Sequence, residues 1–161
     1  MEIQRVAGAL GAEISGVDLS QELGDNAVAA IRQALLDHLV IFFRDQHLSP
    51  QRYMAFAKCF GQPVEYPFVK GLDDFPQIIE VKKLEHETLN FGGVWHSDTT
   101  YLEAPPMGSM LYAQQVPPFG GDTIFANQYM AYDTLSDGLK QVLGPLKGVS
   151  DSMKADASKT R

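Results

Sequence analysis

The sequence predicts a mainly β domain with flanking helices, an α+β chain, and three observations predict it. Apolar runs of strand length recur along the chain, LVIFF at 39–43 the clearest of them. Paired glycines and prolines punctuate the second half, at Gly92-Gly93, Pro105-Pro106, Pro117-Pro118 and Gly120-Gly121. Ser, Asp and Asn residues that can cap helices stand before stretches with apolar positions three or four apart. With 161 residues, 45% of them hydrophobic, the chain reads as one globular domain over 1–161, or a large part of one.

Residues 3–6 and 12–19 read as two short strands around the turn residues Gly8 and Gly11. Asp25 or Asn26 then caps a helix that carries Val28, Ile31, Leu35 and Leu36 and ends near His38. The run 39–43 follows as a buried strand. Ser49-Pro50 is a cap with proline at the first helical position, opening a helix that closes at Gly61. The stretch 61–76 is rich in Pro, Gly and aromatics and has no clear period; 77–83 reads as a strand, and 83–93 as a polar loop ending in two glycines. Further strands are expected at 109–116 and 123–126, with a tight turn over 117–121 between them. Asn127 and Ser136 each cap a helix, the first running through Leu135 and the second closing at Gly144. The last ten residues, SMKADASKTR, are polar and lack an apolar period.

Charge and composition exclude several partners. A net charge of −7 argues against nucleic acid and against an anionic membrane. No apolar stretch approaches the length of a membrane span, and no secretory signal is visible. One cysteine, Cys59, rules out an internal disulfide and suits a cytoplasmic location. Lying in the apolar run FAKCF, it reads as a small buried hydrophobe.

The chemistry concentrates in Trp95-His96-Ser97-Asp98. On a strand, side chains two residues apart project from one face, so His96 and Asp98 would converge on one point. An imidazole and a carboxylate so placed are two-thirds of the 2-His-1-carboxylate triad of non-heme Fe(II) oxygenases. A His-x-Asp triplet alone is weak, and so is Gly120-Gly121-Asp122-Thr123 alone, an ordinary hairpin connection. Together, with two proline pairs and an apolar strand between them, they are specific.

This arrangement resembles the taurine dioxygenase/TfdA family of Fe(II)- and 2-oxoglutarate-dependent dioxygenases, and the resemblance covers nearly the whole chain. GAEISGVDLSQEL is similar to the family's N-terminal strand region and HLVIFFRDQHLSPQRYMAFAKCFG to its strand-loop-helix. WHSDTTYLEAPPMGSMLYAQQVPPFGGDT is similar to its metal and co-substrate block. The resemblance implies a double-stranded β-helix (jelly roll), of which this chain supplies the first part. It implies that His96 and Asp98 ligate Fe(II), and that Thr123 donates a hydrogen bond to a carboxylate of 2-oxoglutarate from the cavity that His96 faces. Thr99 would line the substrate side. The family's sulfonate-binding histidine and tyrosine map onto Tyr66 and Val69, and its asparagine before the metal strand onto Gly92. These departures argue against a small aminosulfonate. The implied reaction consumes O2 and 2-oxoglutarate, releases succinate and CO2, and hydroxylates a small sulfonate, sulfate ester, ether or organic acid. A homo-oligomer is expected.

The family's distal metal histidine and its 2-oxoglutarate arginines lie beyond the GGDT element. Here the 38 residues after Thr123 hold no histidine and one arginine, Arg161. His38 suits a helix C-terminus and His47 a loop, and His86, in the polar run KKLEHETLN, reads as a solvated loop histidine. The expectation is therefore the N-terminal part of a longer enzyme, inactive and poorly soluble alone. The rival is a non-catalytic binding or assembly module of the same fold. Among the aromatics, Phe42, Phe43, Phe56 and Phe60 read as core, while Tyr101 is equally suited to substrate contact and to packing.

Overall fold

The structure is a computed structural model that describes residues 1–88 and 91–153. The described residues divide into two compact units: Met1–Phe60 with Tyr112–Lys147, and Gly61–Leu111 with the described residues from Gly148 on.

The first unit is built on a three-stranded sheet in the order β1-β2-β3. β1 (Glu2–Arg5) and β2 (Ala12–Ser15) form the expected hairpin, antiparallel with Ile3 opposite Ile14. Gly11, at φ +98°, turns the chain there; a Cβ on it would stand 2.7 Å from Val6 Cγ2, so the position takes no other residue without strain. β3 (Ile41–Phe42) runs parallel to β2 and is shorter than the run 39–43 suggested. Leu39 is the reason: it caps the preceding helix at φ 67° and cannot at the same time be extended.

That helix, α1 (Asp25–His38), begins one residue before the predicted caps, with Gly24 as N-cap and Asp25 in the first turn. Ile31 and Ala34 are buried, whereas Leu36 points outward. α2 (Pro50–Lys58) opens as expected, the Ser49 hydroxyl accepting from the Arg52 N–H at 3.3 Å, and it ends at Lys58 rather than Gly61. Cys59 is exposed, a correction to its reading as buried: it continues the helix face of the exposed Arg52 and Ala55, at a spacing of three and four residues. The core consists of Ala12, Ile14, Leu19, Ile31, Ala34, Met54 and Phe56. Phe56 packs edge-on between Phe43 and Phe60, at 5.8 and 5.1 Å between centroids, as core aromatics do.

The segment after Tyr112 belongs to the same unit. The Tyr112 hydroxyl accepts from Leu48 N–H and donates to the Gln46 carbonyl, both at 3.0 Å. Phe125 meets Phe42 edge-on, and Asn127 Nδ2 donates to the Ala9 carbonyl at 2.7 Å. Asn127 and Ser136 cap α3 (Gln128–Asp133) and α4 (Asp137–Leu143) as the sequence predicts, with Gly144 closing the second; α3 stops two residues short of Leu135.

The strands expected at 77–83, 109–116 and 123–126 do not form; these stretches run as irregular chain. A strand is completed by a ladder partner, and none is paired with them among the described residues. Of the loop 83–93, residues 89–90 lie outside the described set, as do 154–161 of the polar C-terminal stretch. No helix among the described residues is long and apolar enough to cross a membrane.

Candidate metal centre

His96 and Asp98 lie in the second unit, and the structure brings them together without the strand that was expected to do so. The chain is irregular through Ser97 and turns over Asp98–Tyr101. Thr99 makes the turn at φ 51°, its carbonyl accepting from Leu102 N–H at 3.0 Å. A β-branched residue in the left-handed region is strained by about 1–3 kcal/mol, and such strain gathers at sites whose geometry matters. The two side chains meet on irregular chain, without strand pleating. His96 Nε2 and Asp98 Oδ1 stand 3.1 Å apart.

One ring nitrogen of that imidazole is engaged from its other side. His96 Nδ1 lies 2.6 Å from the Val94 carbonyl oxygen. A carbonyl only accepts, so Nδ1 carries the proton, and in the neutral ring Nε2 presents a bare lone pair. That lone pair faces a carboxylate oxygen. Two acceptors at this distance repel unless a cation lies between them, and about 3 Å is the separation of neighbouring donors on one octahedral ion with bonds of about 2.1 Å. The donor set and its spacing therefore fit a divalent metal. No cluster of three or more metal-ligating side chains occurs among the described residues; His86 is exposed in its loop, away from any such cluster.

Two further contacts shape the pair. Ser109 Oγ donates to Asp98 Oδ2 at 2.6 Å. Gly92, at φ +68°, lies against the histidine: a Cβ there would stand 3.3 Å from His96 Cε1 and 3.8 Å from Nε2. The glycine thus keeps the metal-facing edge of the ring clear, a role the sequence reading did not give it. Ser109 was read only as the start of a strand. Nothing in the sequence pattern marks it, because its partner is 11 positions away across a proline pair.

Aromatic side chains gather in the same unit. Phe68 packs against Tyr66 and Tyr101, with centroids 5.8 and 5.9 Å apart. The Tyr101 hydroxyl is buried without a well-formed hydrogen bond among the described residues. Tyr66 and Val69 line an open cleft of about 540 Å³, together with Lys70 and Asp73, which are paired at 2.6 Å. Burial raises the Tyr66 pKa above the ordinary tyrosine value of 10.0, with Tyr101 and the Asp98 charge adding to the effect. Burial raises Tyr53 in the same way.

A raised folded-state value favours the neutral phenol, so the stability it carries is complete below pH 10 and is lost as pH rises through and beyond 10. In a phenolate absorbance titration, the late-titrating fraction is expected to shrink in Tyr66→Phe and in Tyr53→Phe. An unchanged titration curve in Tyr66→Phe would show that the hydroxyl sits in free solvent.

Thr123 belongs to the first unit. It is exposed on irregular chain after Gly120 and Gly121, whose φ values of 75° and 72° need glycine, and before the Asn127 cap.

Comparison with known proteins gives the chain's family. The profile of the family described as "Taurine catabolism dioxygenase TauD, TfdA family" matches residues 2–157. The chain is 39% identical over 150 residues to the alpha-ketoglutarate-dependent sulfate ester dioxygenase of Pseudomonas putida, covering 92% of this chain and 49% of that one. A crystal structure of a taurine dioxygenase from Burkholderia xenovorans superposes with a TM-score of 0.77 at 36% identity, over 91% of this chain and 52% of that one. The crystal structure of AAD-2 in complex with Mn(II) and N-oxalylglycine gives 0.72 at 28% identity, over 89% and 50%. The chain spans about half the length of the curated relatives it matches.

Proposed function

Since this chain belongs to the taurine catabolism dioxygenase TauD, TfdA family, we propose that it contributes the metal pair of an Fe(II)- and 2-oxoglutarate-dependent dioxygenase. The observation that carries the reading is the placement of His96 Nε2 beside Asp98 Oδ1, 3.1 Å apart, with Nδ1 engaged by the Val94 carbonyl. With these two donors on one side of the ion, positions remain for a third protein ligand, for 2-oxoglutarate and for O2. The fold that goes with this reading is a double-stranded β-helix, supported by the likeness to the Burkholderia structure.

When bound, Fe(II) supplies O2 activation coupled to decarboxylation of 2-oxoglutarate to succinate and CO2. The protein's own residues hold and orient. The Val94 carbonyl keeps the proton on Nδ1, so that Nε2 is always the donor nitrogen. Gly92 leaves the ring edge clear. Thr123 offers its hydroxyl to a carboxylate of 2-oxoglutarate. Tyr66 and Thr99 line the substrate side, and Tyr66, kept neutral by its surroundings, donates a hydrogen bond to an anionic group.

Among the candidate substrates we favour a sulfate ester, supported by the identity to the Pseudomonas enzyme. Hydroxylation of the carbon bearing the ester oxygen replaces C–H by C–OH. The C–O bond to sulfate then breaks, and the hydroxyl proton is lost, giving an aldehyde and free sulfate.

The test is succinate release by the full-length protein with an alkyl sulfate, with and without Fe(II). Release is expected only when the ester, 2-oxoglutarate and Fe(II) are all present. Thr123→Val is expected to raise the 2-oxoglutarate requirement about tenfold to a hundredfold, the equivalent of a charge-assisted hydrogen bond of about 1.5–3 kcal/mol. An unchanged requirement removes Thr123 from the co-substrate site. No release with any sulfonate, sulfate ester, ether or organic acid would favour a non-catalytic module of the same fold.

A further inference from the structure

The two carboxylate oxygens of Asp98 have different partners. Oδ1 faces His96 Nε2 at 3.1 Å, and Oδ2 accepts the Ser109 hydroxyl proton at 2.6 Å. The Asp χ2 torsion is soft and roughly two-fold, so the backbone alone does not decide the plane in which the carboxylate turns one of its two equivalent oxygens toward the imidazole. The serine decides it. Resting on the metal reading above, we propose that Ser109 is a positioning residue that holds Asp98 as a one-oxygen ligand.

The argument is one of bond counting. A carboxylate can give a metal one oxygen or both. With Oδ2 engaged by the Ser109 hydroxyl at 2.6 Å, Oδ1 is the oxygen left uncommitted by that bond, and it is already next to the nitrogen donor. One-oxygen ligation leaves open a coordination position that a two-oxygen aspartate would fill, and the proposed reaction needs every open position for 2-oxoglutarate and O2. Ser109 does not touch the metal; it acts through Asp98. The residue is itself exposed, so its replacement removes a hydrogen bond without opening a cavity in the core.

The experiment is Mn(II) binding to the full-length protein by titration calorimetry, without co-substrate, for the parent, Ser109→Ala, Ser109→Thr and His96→Ala. Loss of such a hydrogen-bonding partner to a ligand typically lowers metal affinity about 10- to 100-fold, and that is the effect expected for Ser109→Ala. Ser109→Thr, which keeps the hydroxyl, is expected to restore parental affinity, a rescue that loss of packing alone would not give. The metal-free melting temperature is expected to be the same in the parent and Ser109→Ala. Parental affinity in Ser109→Ala, or equal weakening in the Ala and Thr variants, overturns the role of Ser109. If His96→Ala abolishes binding in that same series, the metal reading stands while this inference falls. If His96→Ala binds Mn(II) as the parent does, the metal reading itself is wrong.

Discussion

Replacing His96 by alanine is expected to abolish Fe(II)-dependent succinate formation while leaving the far-ultraviolet circular dichroism spectrum unchanged. The imidazole is about half exposed and lies in irregular chain outside the hydrophobic core, so its removal takes away a donor and little packing. What remains is Asp98, whose Oδ2 accepts from the Ser109 hydroxyl. One oxygen ligand is a poor anchor for a divalent ion in a site that must also keep positions open. His96→Gln is the sharper variant, because its amide reaches a similar distance but offers a weakly basic oxygen in place of Nε2. Succinate formation at the parental rate in either variant would show that the His96–Asp98 pair is an ion pair on the surface and not a metal centre.

Ile31→Ala is expected to lower the stability of the first unit by about 2–5 kcal/mol, the usual range for deleting a fully buried aliphatic side chain and leaving a cavity. Ile31 is 0% exposed at the middle of α1, in a core of seven residues, so few neighbours can collapse into the space. The control sits one and a half turns away on the same helix. Leu36 is 59% exposed, and Leu36→Ala is expected to change stability by about 0.5 kcal/mol or less. Urea unfolding of the two variants checks the difference. Equal effects would mean that the helix is packed in a different rotation.

Much of the local structure was legible in the sequence. Ser49, Asn127 and Ser136 each cap a helix where predicted, because a cap is decided within four residues. The phase of α2 was legible as well, and reading it would have put Cys59 on the exposed face with Arg52 and Ala55. Pairing was less so. The stretches 77–83, 109–116 and 123–126 have strand-like composition, but a ladder depends on a partner distant in sequence, which composition does not specify. The proximity of His96 and Asp98 was foreseen for a reason that does not hold. The i, i+2 rule of a strand predicted the meeting, and the two side chains meet on irregular chain instead. Ser109 was out of reach altogether, since a hydroxyl 11 residues from its carboxylate leaves no period to detect.

The interrupted first unit has a consequence for the order of folding. Met1–Phe60 and Tyr112–Lys147 belong to one compact unit, so residues 61–111 are inserted within it. The Tyr112 hydroxyl closes the loop before α2 through Gln46 and Leu48, contacts that span 66 and 64 residues. During synthesis at about 5–20 residues per second, Leu48 waits roughly 3–13 s for Tyr112 to be made. Through that interval the β1–β2 hairpin and α1 can assemble from nearby sequence, but the loop that leads into α2 cannot take its final bonds. Closing a loop of that length costs only a little more entropy than closing one half as long, because the penalty grows with the logarithm of length. The delay is therefore kinetic rather than energetic, and it leaves the Leu48 N–H and the Gln46 carbonyl to water until the tyrosine arrives.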